Sequence, residues 1–161
     1  MGMTGGYLRV QADQLQDLIA SPDLLQELLM PEIMGGGNGL DVYKSWHGIH
    51  YVLTGSSWEG KPPLKNVVLG GTEIGEDVGY GPARYLTPAE VREVAEALKP
   101  IDDAEFARRF NADEMAEDEI YAFDPDAAED ELDGLLDTYR ELRQYYLDAA
   151  SNKDGMLLYM V

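Results

Sequence analysis

The chain has 161 residues, of which 45% are hydrophobic and 27% charged, and this size and balance fit one folded domain. It contains no cysteine, which excludes a disulfide framework, a thiolate metal site and a thiol nucleophile. Its net charge of −19 disfavours nucleic acid and anionic membranes as partners, and no apolar run approaches the roughly 20 residues that span a bilayer.

The negative charge is concentrated in the last part of the chain. Residues 1–100 carry 13 acids and 7 bases, whereas residues 101–161 carry 18 acids and 5 bases. Such a charge excess usually marks a solvated face, and the sharper alternative is a surface that docks a protein with a basic surface. The amino end lacks the features of a secretory signal, so we expect a cytoplasmic protein. The oligomeric state stays open.

The first third of the chain predicts one strand and then helices. Tyr7–Gln11 has the composition of a short strand, and Leu15, Leu18 and Ile19 recur at helical spacing. Ser21-Pro22 is typical of the start of a second helix. Gly35–Gly39 is predicted to be a flexible connection.

A third helix is predicted from a cap at Asn38 to an end at Gly55. It is apolar on two sides, so we expect it to be buried on both. One side carries Tyr43, Trp46, His47, His50 and Leu53, and the other carries Val42, Ile49 and Val52.

The remainder predicts a loop-rich segment, further helices and two or three strands. Residues 56–80 are rich in Gly and Pro and are predicted to be mostly loop, followed by a strand at Arg84–Leu86. Thr87-Pro88-Ala89-Glu90 is a capping box that begins a helix. A second capping box, at Asp102 and Glu105, begins another.

The carboxyl-terminal part predicts the longest helix and the last strand. Glu119–Phe123 is a candidate short strand, and the long helix runs from Asp124-Pro125 to about Ala150. Met156–Val161 is a strongly apolar strand that we expect to pair with the amino-terminal strand. The pattern predicts an α+β fold, with residues 1–161 in a single compact domain. A small mixed sheet with N- and C-terminal strands would be packed by several helices, including the long C-terminal one.

Three segments resemble the YfbM-like family of small uncharacterised bacterial proteins. They are MGMTGGY at the start, LDVYKSWHGIHYVLTG (residues 40–55) and LGGTEIGEDVGYGPARYLTP (residues 69–88). The family opening matches Met1, Gly2, Met3, Gly5 and Tyr7, and its aspartate-to-tryptophan helix matches Asp41, Trp46 and Leu53-Thr54-Gly55. The resemblance covers nearly the whole chain. It implies a compact α+β fold and brings no established catalytic residues.

His47 and His50 form an H-x-x-H pair on the predicted third helix. Residues three apart lie on one helix face, so the two rings could hold one divalent metal ion if a third ligand were supplied. The simpler interpretation, which we favour, is a buried helix whose histidines are hydrogen-bonded. A neutral histidine could instead act as a general base. The sequence therefore predicts no metal site and no cofactor.

The glycine-rich loop from Gly70 to Pro82 matches neither phosphate-binding pattern and carries acidic residues, so a nucleotide site is disfavoured. Tyr80, Arg84 and Tyr85 near its end are the polar and aromatic types expected at a recognition surface. They could equally be packing residues with satisfied polar groups.

Two functions remain in competition. The favoured one is a non-enzymatic binding or interaction module with an acidic surface, because no catalytic motif is complete. The alternative is a small-molecule-binding or hydrolase-like enzyme with a pocket between the Trp46 helix and the Gly70 to Arg84 loop. In that alternative Trp46 and Tyr80 give apolar walls, His47 or His50 is the base, and Arg84 anchors an anion. The candidate ligand-binding residues are thus Trp46, His47, His50, Tyr80, Arg84 and Tyr85.

Overall fold

The computed structural model describes residues 2–161; Met1, where the family-like opening motif begins, lies outside them. The described residues form five β-strands and seven α-helices. In chain order these are β1 (Gly5–Val10), α1 (Ala12–Ala20), α2 (Leu24–Ile33), β2 (Leu40–Tyr43), α3 (Trp46–Thr54), β3 (Thr72–Asp77), β4 (Pro82–Leu86), α4 (Pro88–Leu98), α5 (Asp103–Arg109), α6 (Ala112–Glu117), α7 (Ala128–Ser151) and β5 (Gly155–Met160). Short 3₁₀ helices at Leu64–Val67 and Pro125–Ala127 complete the list.

The strands form one sheet in the order β2-β1-β5-β4-β3, with the predicted pairing of β1 and β5 near its centre. Every pairing is antiparallel. The sequence pattern predicted a mixed sheet, and that part of the prediction is wrong. The hairpin between β3 and β4 fixes that pair as antiparallel, because a parallel pair needs a long crossover connection.

Helices cover both faces of the sheet, because successive side chains of a strand point to opposite faces. In β5, Met156 and Leu158 belong to the larger core beneath α3, α4 and α7. Leu157 and Tyr159 belong to a smaller core beneath α1 and α2. The result is a three-layer α+β domain with the long helix α7 in one outer layer. The α+β class and the long C-terminal helix are as the sequence predicted, and the strand directions are not.

Capping residues and a terminating glycine in the sequence correctly predicted where several helices begin or end. The Thr87 hydroxyl accepts from the Glu90 N–H and the Glu90 carboxylate accepts from the Thr87 N–H, so the capping box is formed as predicted. Gly55 ends α3 in the left-handed region at φ 78°. Asp102 caps α5 by accepting from the Glu105 N–H.

Three predicted elements are wrong. The helix predicted from Asn38 begins only at Trp46, because Leu40–Tyr43 pairs with β1 as a strand and Tyr43 turns the chain at φ 51°. The predicted loop contains β3, an edge strand in which only Ile74 is buried. Residues 119–123 form turns rather than a strand, because Glu119 and Ala122 both have positive φ.

Candidate functional site

Helix α3 places both histidines inside the protein. Every residue from Trp46 to Leu53 is buried, as the two-sided apolar pattern predicted, and His47 and His50 are each 1% exposed. Trp46 donates from Nε1 to the Met3 carbonyl at 3.0 Å, and its ring stacks on Tyr121 with centroids 5.5 Å apart. The helix is therefore a central structural element of the larger core.

The His47 ring is fully engaged by backbone groups. Its Nδ1 accepts from the Tyr121 N–H at 2.8 Å, so the ring proton lies on Nε2, which donates to the Ser57 carbonyl at 2.8 Å. The Trp58 ring, 56% exposed, covers the imidazole with centroids 4.4 Å apart. Burial lowers the pKa of His47. Through its two backbone bonds the ring holds two loops against α3.

His50 makes one strong contact and leaves one nitrogen without a partner. Its Nε2 donates to the Glu59 carbonyl at 2.9 Å, and its buried Nδ1 has no hydrogen-bond partner among residues 2–161. Burial is the main cause that lowers the pKa of His50, to about 4. Within the described chain, no group of three or more Asp, Glu and His side chains is arranged to hold a metal ion.

Arg84 binds backbone carbonyls instead of facing an open pocket. Its Nη1 donates to the Val68 carbonyl at 2.9 Å and the Gly70 carbonyl at 2.6 Å. The buried hydroxyls of Tyr7 and Tyr146 donate to the Val67 carbonyl at 2.6 and 2.9 Å. These three side chains, from β4, β1 and α7, fix residues 66–70 on the sheet. The anion anchor proposed for Arg84 is thus replaced by a structural role.

The structure does not bring the six predicted site residues together. Trp46, His47 and His50 lie in and around α3, whereas Tyr80 is at the tip of the β3–β4 hairpin and is 56% exposed. Tyr85 is packed against the smaller core, on the opposite face of the sheet from Arg84. A cleft of about 430 Å³ does adjoin the hairpin, between α2 and residues 75–78, but none of the six lines it.

A more open candidate is the acidic face, by which we mean the surface of residues 113–137. This stretch contains twelve Asp and Glu residues and no Lys, Arg or His. All twelve except Glu131 are exposed. It comprises α6, the second 3₁₀ helix and the first part of α7, which pack against one another.

The charges of the acidic face are scarcely neutralised from within the protein. Of its twelve acids only Asp137 has an ion-pair partner among residues 2–161, Arg140 at 2.7 Å. The negative charge of the face also acts on the neighbouring core. The pKa of Tyr51 is raised to about 12, mainly by burial and also by a hydrogen bond to Glu114 and the charges of Glu114, Asp118 and Glu117. The face can therefore attract a cationic surface.

The described residues form a small three-layer α+β protein in which the six predicted site residues do not converge on one surface. The chain belongs to the family described as a domain of unknown function, DUF1877, whose model matches residues 1–159. It is 27% identical to Protein YfbM of Escherichia coli (strain K12) over 124 residues, which cover 75% of this chain and 74% of that protein.

The fold of this chain also matches a solved structure. The crystal structure of YfbM, a protein of unknown function from Escherichia coli, superposes with a TM-score of 0.76. The match has 22% sequence identity and covers 98% of this chain and 99% of the other. The sequence resemblance to the YfbM-like family is confirmed. No helix among the described residues is both long and apolar enough to cross a membrane.

Proposed function

We propose that this protein is a non-enzymatic interaction module that binds a protein with a basic surface through its acidic face. The single observation that carries the proposal is the exposure of eleven unneutralised or weakly neutralised carboxylates over residues 113–137, with no base among them. Complementary charge across an interface accelerates association and selects the partner. We place this interaction in the cytoplasm, the location expected from the sequence.

The state of the histidines supports a non-enzymatic role. A general base needs a free nitrogen within reach of a substrate proton. The His47 nitrogens are both bonded to backbone, and the free nitrogen of His50 is enclosed. The enzyme alternative required both Trp46 and Arg84 at one concave surface, and these side chains bond to Met3 and to residues 68–70 respectively.

The test is affinity capture followed by quantitative binding. The patch variant Glu117→Gln/Asp118→Asn/Asp133→Asn removes three charges from the acidic face. The matched control Asp13→Asn/Asp17→Asn/Asp23→Asn removes three exposed charges near α1 and α2, so both variants have the same net charge.

We expect a partner captured by wild type and by the control but bound about tenfold more slowly by the patch variant, with an association rate that falls as salt rises. Equal binding by all three proteins, or a captured partner whose surface is not basic, would contradict the proposal. Failure to capture any stoichiometric partner would also count against it.

A further inference from the structure

A second candidate site lies beside the β2 edge of the sheet, away from the acidic face. It is a cavity of about 490 Å³ bordered by the linker Gly35–Gly39, and we call it the linker cavity. Three carboxylates line it: Glu32 of α2, Asp41 of β2 and Glu141 of α7. None of its lining residues within the described chain is Lys, Arg or His.

The cavity also contains a polar group without a partner. Tyr159 lines it and is only 6% exposed, yet its hydroxyl has no hydrogen-bond partner among residues 2–161. Buried hydroxyls are nearly always hydrogen-bonded. The Tyr159 side chain is buried as a whole, but its hydroxyl oxygen is not fully enclosed, and on the lining of the cavity it is open to a ligand.

The sheet register aims Tyr159 toward Asp41. Tyr159 of β5 pairs with Gly6 of β1, and Gly6 pairs with Asp41 of β2, so all three share one face of the sheet. The tyrosine ring lies directly across Gly6, where a Cβ would fall 2.2 Å from Tyr159 Cζ and 2.5 Å from its hydroxyl oxygen. The missing side chain at Gly6 lets the hydroxyl extend over β1 toward the Asp41 side.

The linker holds the second carboxylate in place. Glu32 accepts from the Asn38 N–H at 3.0 Å and from the Gly39 N–H at 2.7 Å. A Cβ on Gly37 would fall 2.0 Å from the Glu32 side chain, and a Cβ on Gly39 would fall 2.5 Å from the Tyr7 carbonyl oxygen and 2.7 Å from the Glu32 carboxylate. Glycine at position 39 is therefore needed for this close wrapping. The carboxylate is therefore positioned before any ligand arrives, which lowers the entropic cost of binding.

We propose that the linker cavity binds a small organic cation that carries an alkylammonium or guanidinium group. Its N–H groups would donate to the Tyr159 hydroxyl and to the carboxylates of Glu32 and Asp41, which supply acceptors and negative charge. The volume is that of a small-molecule site and far exceeds the space of one metal ion. The proposal is independent of the acidic face, which shares no residue with this cavity.

The experiment is calorimetric titration with putrescine and agmatine as probes. Tetramethylammonium, which has charge but no N–H, and Mg²⁺ are the comparison cations. We expect saturable one-site binding of at least one probe and none of the comparison cations. Tyr159→Phe and Asp41→Asn should each raise the Kd about tenfold, as expected for losing a hydrogen bond to a charged group. Glu93→Gln, an exposed acid on α4, should bind as wild type does.

Several results would overturn the proposal. One is a titration in which neither probe saturates, and another is binding of Mg²⁺ and tetramethylammonium as tight as that of the probes. Unchanged affinity in Tyr159→Phe and Asp41→Asn would show that the probe binds non-specifically to a protein of net charge −19 and not at the linker cavity. Backbone amide chemical shifts of the wild-type protein test the same contact without a substitution. On addition of the probe the shifts of Gly6, Gly37 and Gly39 should change, and that of Gly134 should stay constant. Shifts spread evenly over all four would contradict the site.

Discussion

Helix α3 and the acidic face differ in how accessible their polar groups are, and the difference is the reverse of what their residue types suggest. Helix α3 carries both histidines and a tryptophan, yet its side chains are buried and bonded to backbone. The acidic face contains only common residue types, and nearly all its carboxylates are open to solvent. Rare residue types mark chemistry only where their polar atoms remain free. In this protein the polar atoms of Trp46, His47 and His50 bind backbone groups of neighbouring loops. The groups that remain accessible to a partner are the carboxylates of the acidic face.

The largest effect that would sharpen this contrast is expected from two tryptophans that lie close together. Trp46→Ala should destabilise the protein by about 3 to 5 kcal/mol, because it removes a large buried ring and leaves a cavity in the core. Its matched partner Trp58→Ala removes a half-exposed ring and should cost less than about 1 kcal/mol. Urea unfolding followed by circular dichroism measures both. Similar losses for the two variants would show that α3 is not the structural centre described above.

A smaller effect is expected at Arg84. Arg84→Gln should lower the free energy of unfolding by about 2 kcal/mol, because the Val68 and Gly70 carbonyls lose a charged donor. Tyr80→Ala at the exposed hairpin tip is the control and should change stability by less than about 0.5 kcal/mol. Urea midpoints compare the two. A wild-type midpoint for Arg84→Gln would mean that residues 66–70 are held by other contacts.

The pH dependence of stability tests the burial of His50. The folded-state pKa of His50 lies near 4, below its ordinary value of 6.5, so the unfolded chain binds more protons between these values. Stability should therefore rise with pH across this window, and on going from pH 7 to pH 5 His50 should remove about 1 to 2 kcal/mol. His50→Gln, which keeps a donor for Glu59, should flatten the profile relative to wild type. Parallel profiles for the two proteins would show that His50 titrates normally.

The smallest effect is expected from salt. Like charges on the acidic face repel one another, so raising NaCl from about 0.05 to 0.5 M should stabilise the wild type by about 0.5 kcal/mol. The variant Glu117→Gln/Asp118→Asn/Asp133→Asn should gain less from the same addition. Thermal unfolding at both salt concentrations measures the difference. An equal gain in the variant would show that the repulsion lies elsewhere on the surface.

Local signals in the sequence predicted a large share of the fold. The Thr87 capping box, the glycine that ends α3 and the apolar stripe of α7 each depend on residues a few positions apart. The strands β2 and β3 were missed because they lie at the sheet edges, where few side chains are buried. An edge strand is recognised mainly by its partner, which the local pattern does not contain.

The candidate sites depended even more on distant contacts. The structural role of His47 depends on its hydrogen bond from the Tyr121 N–H. Tyr121 is 74 positions away in the chain, so no pattern around His47 predicts this contact. The linker cavity depends on the register that aligns Tyr159, Gly6 and Asp41 across three strands. Glycines in the linker were predicted only as flexibility, whereas they provide space for the Glu32 carboxylate.

The position of β5 has a consequence for synthesis of the protein. The last strand lies between β1 and β4 and joins the β2–β1 pair to the β4–β3 hairpin. While the chain is still emerging from the ribosome, those two halves each present a bare strand edge that can pair with another chain. Chaperone contact during translation would be most useful in this interval, which ends only when β5 has emerged and pairs with both β1 and β4.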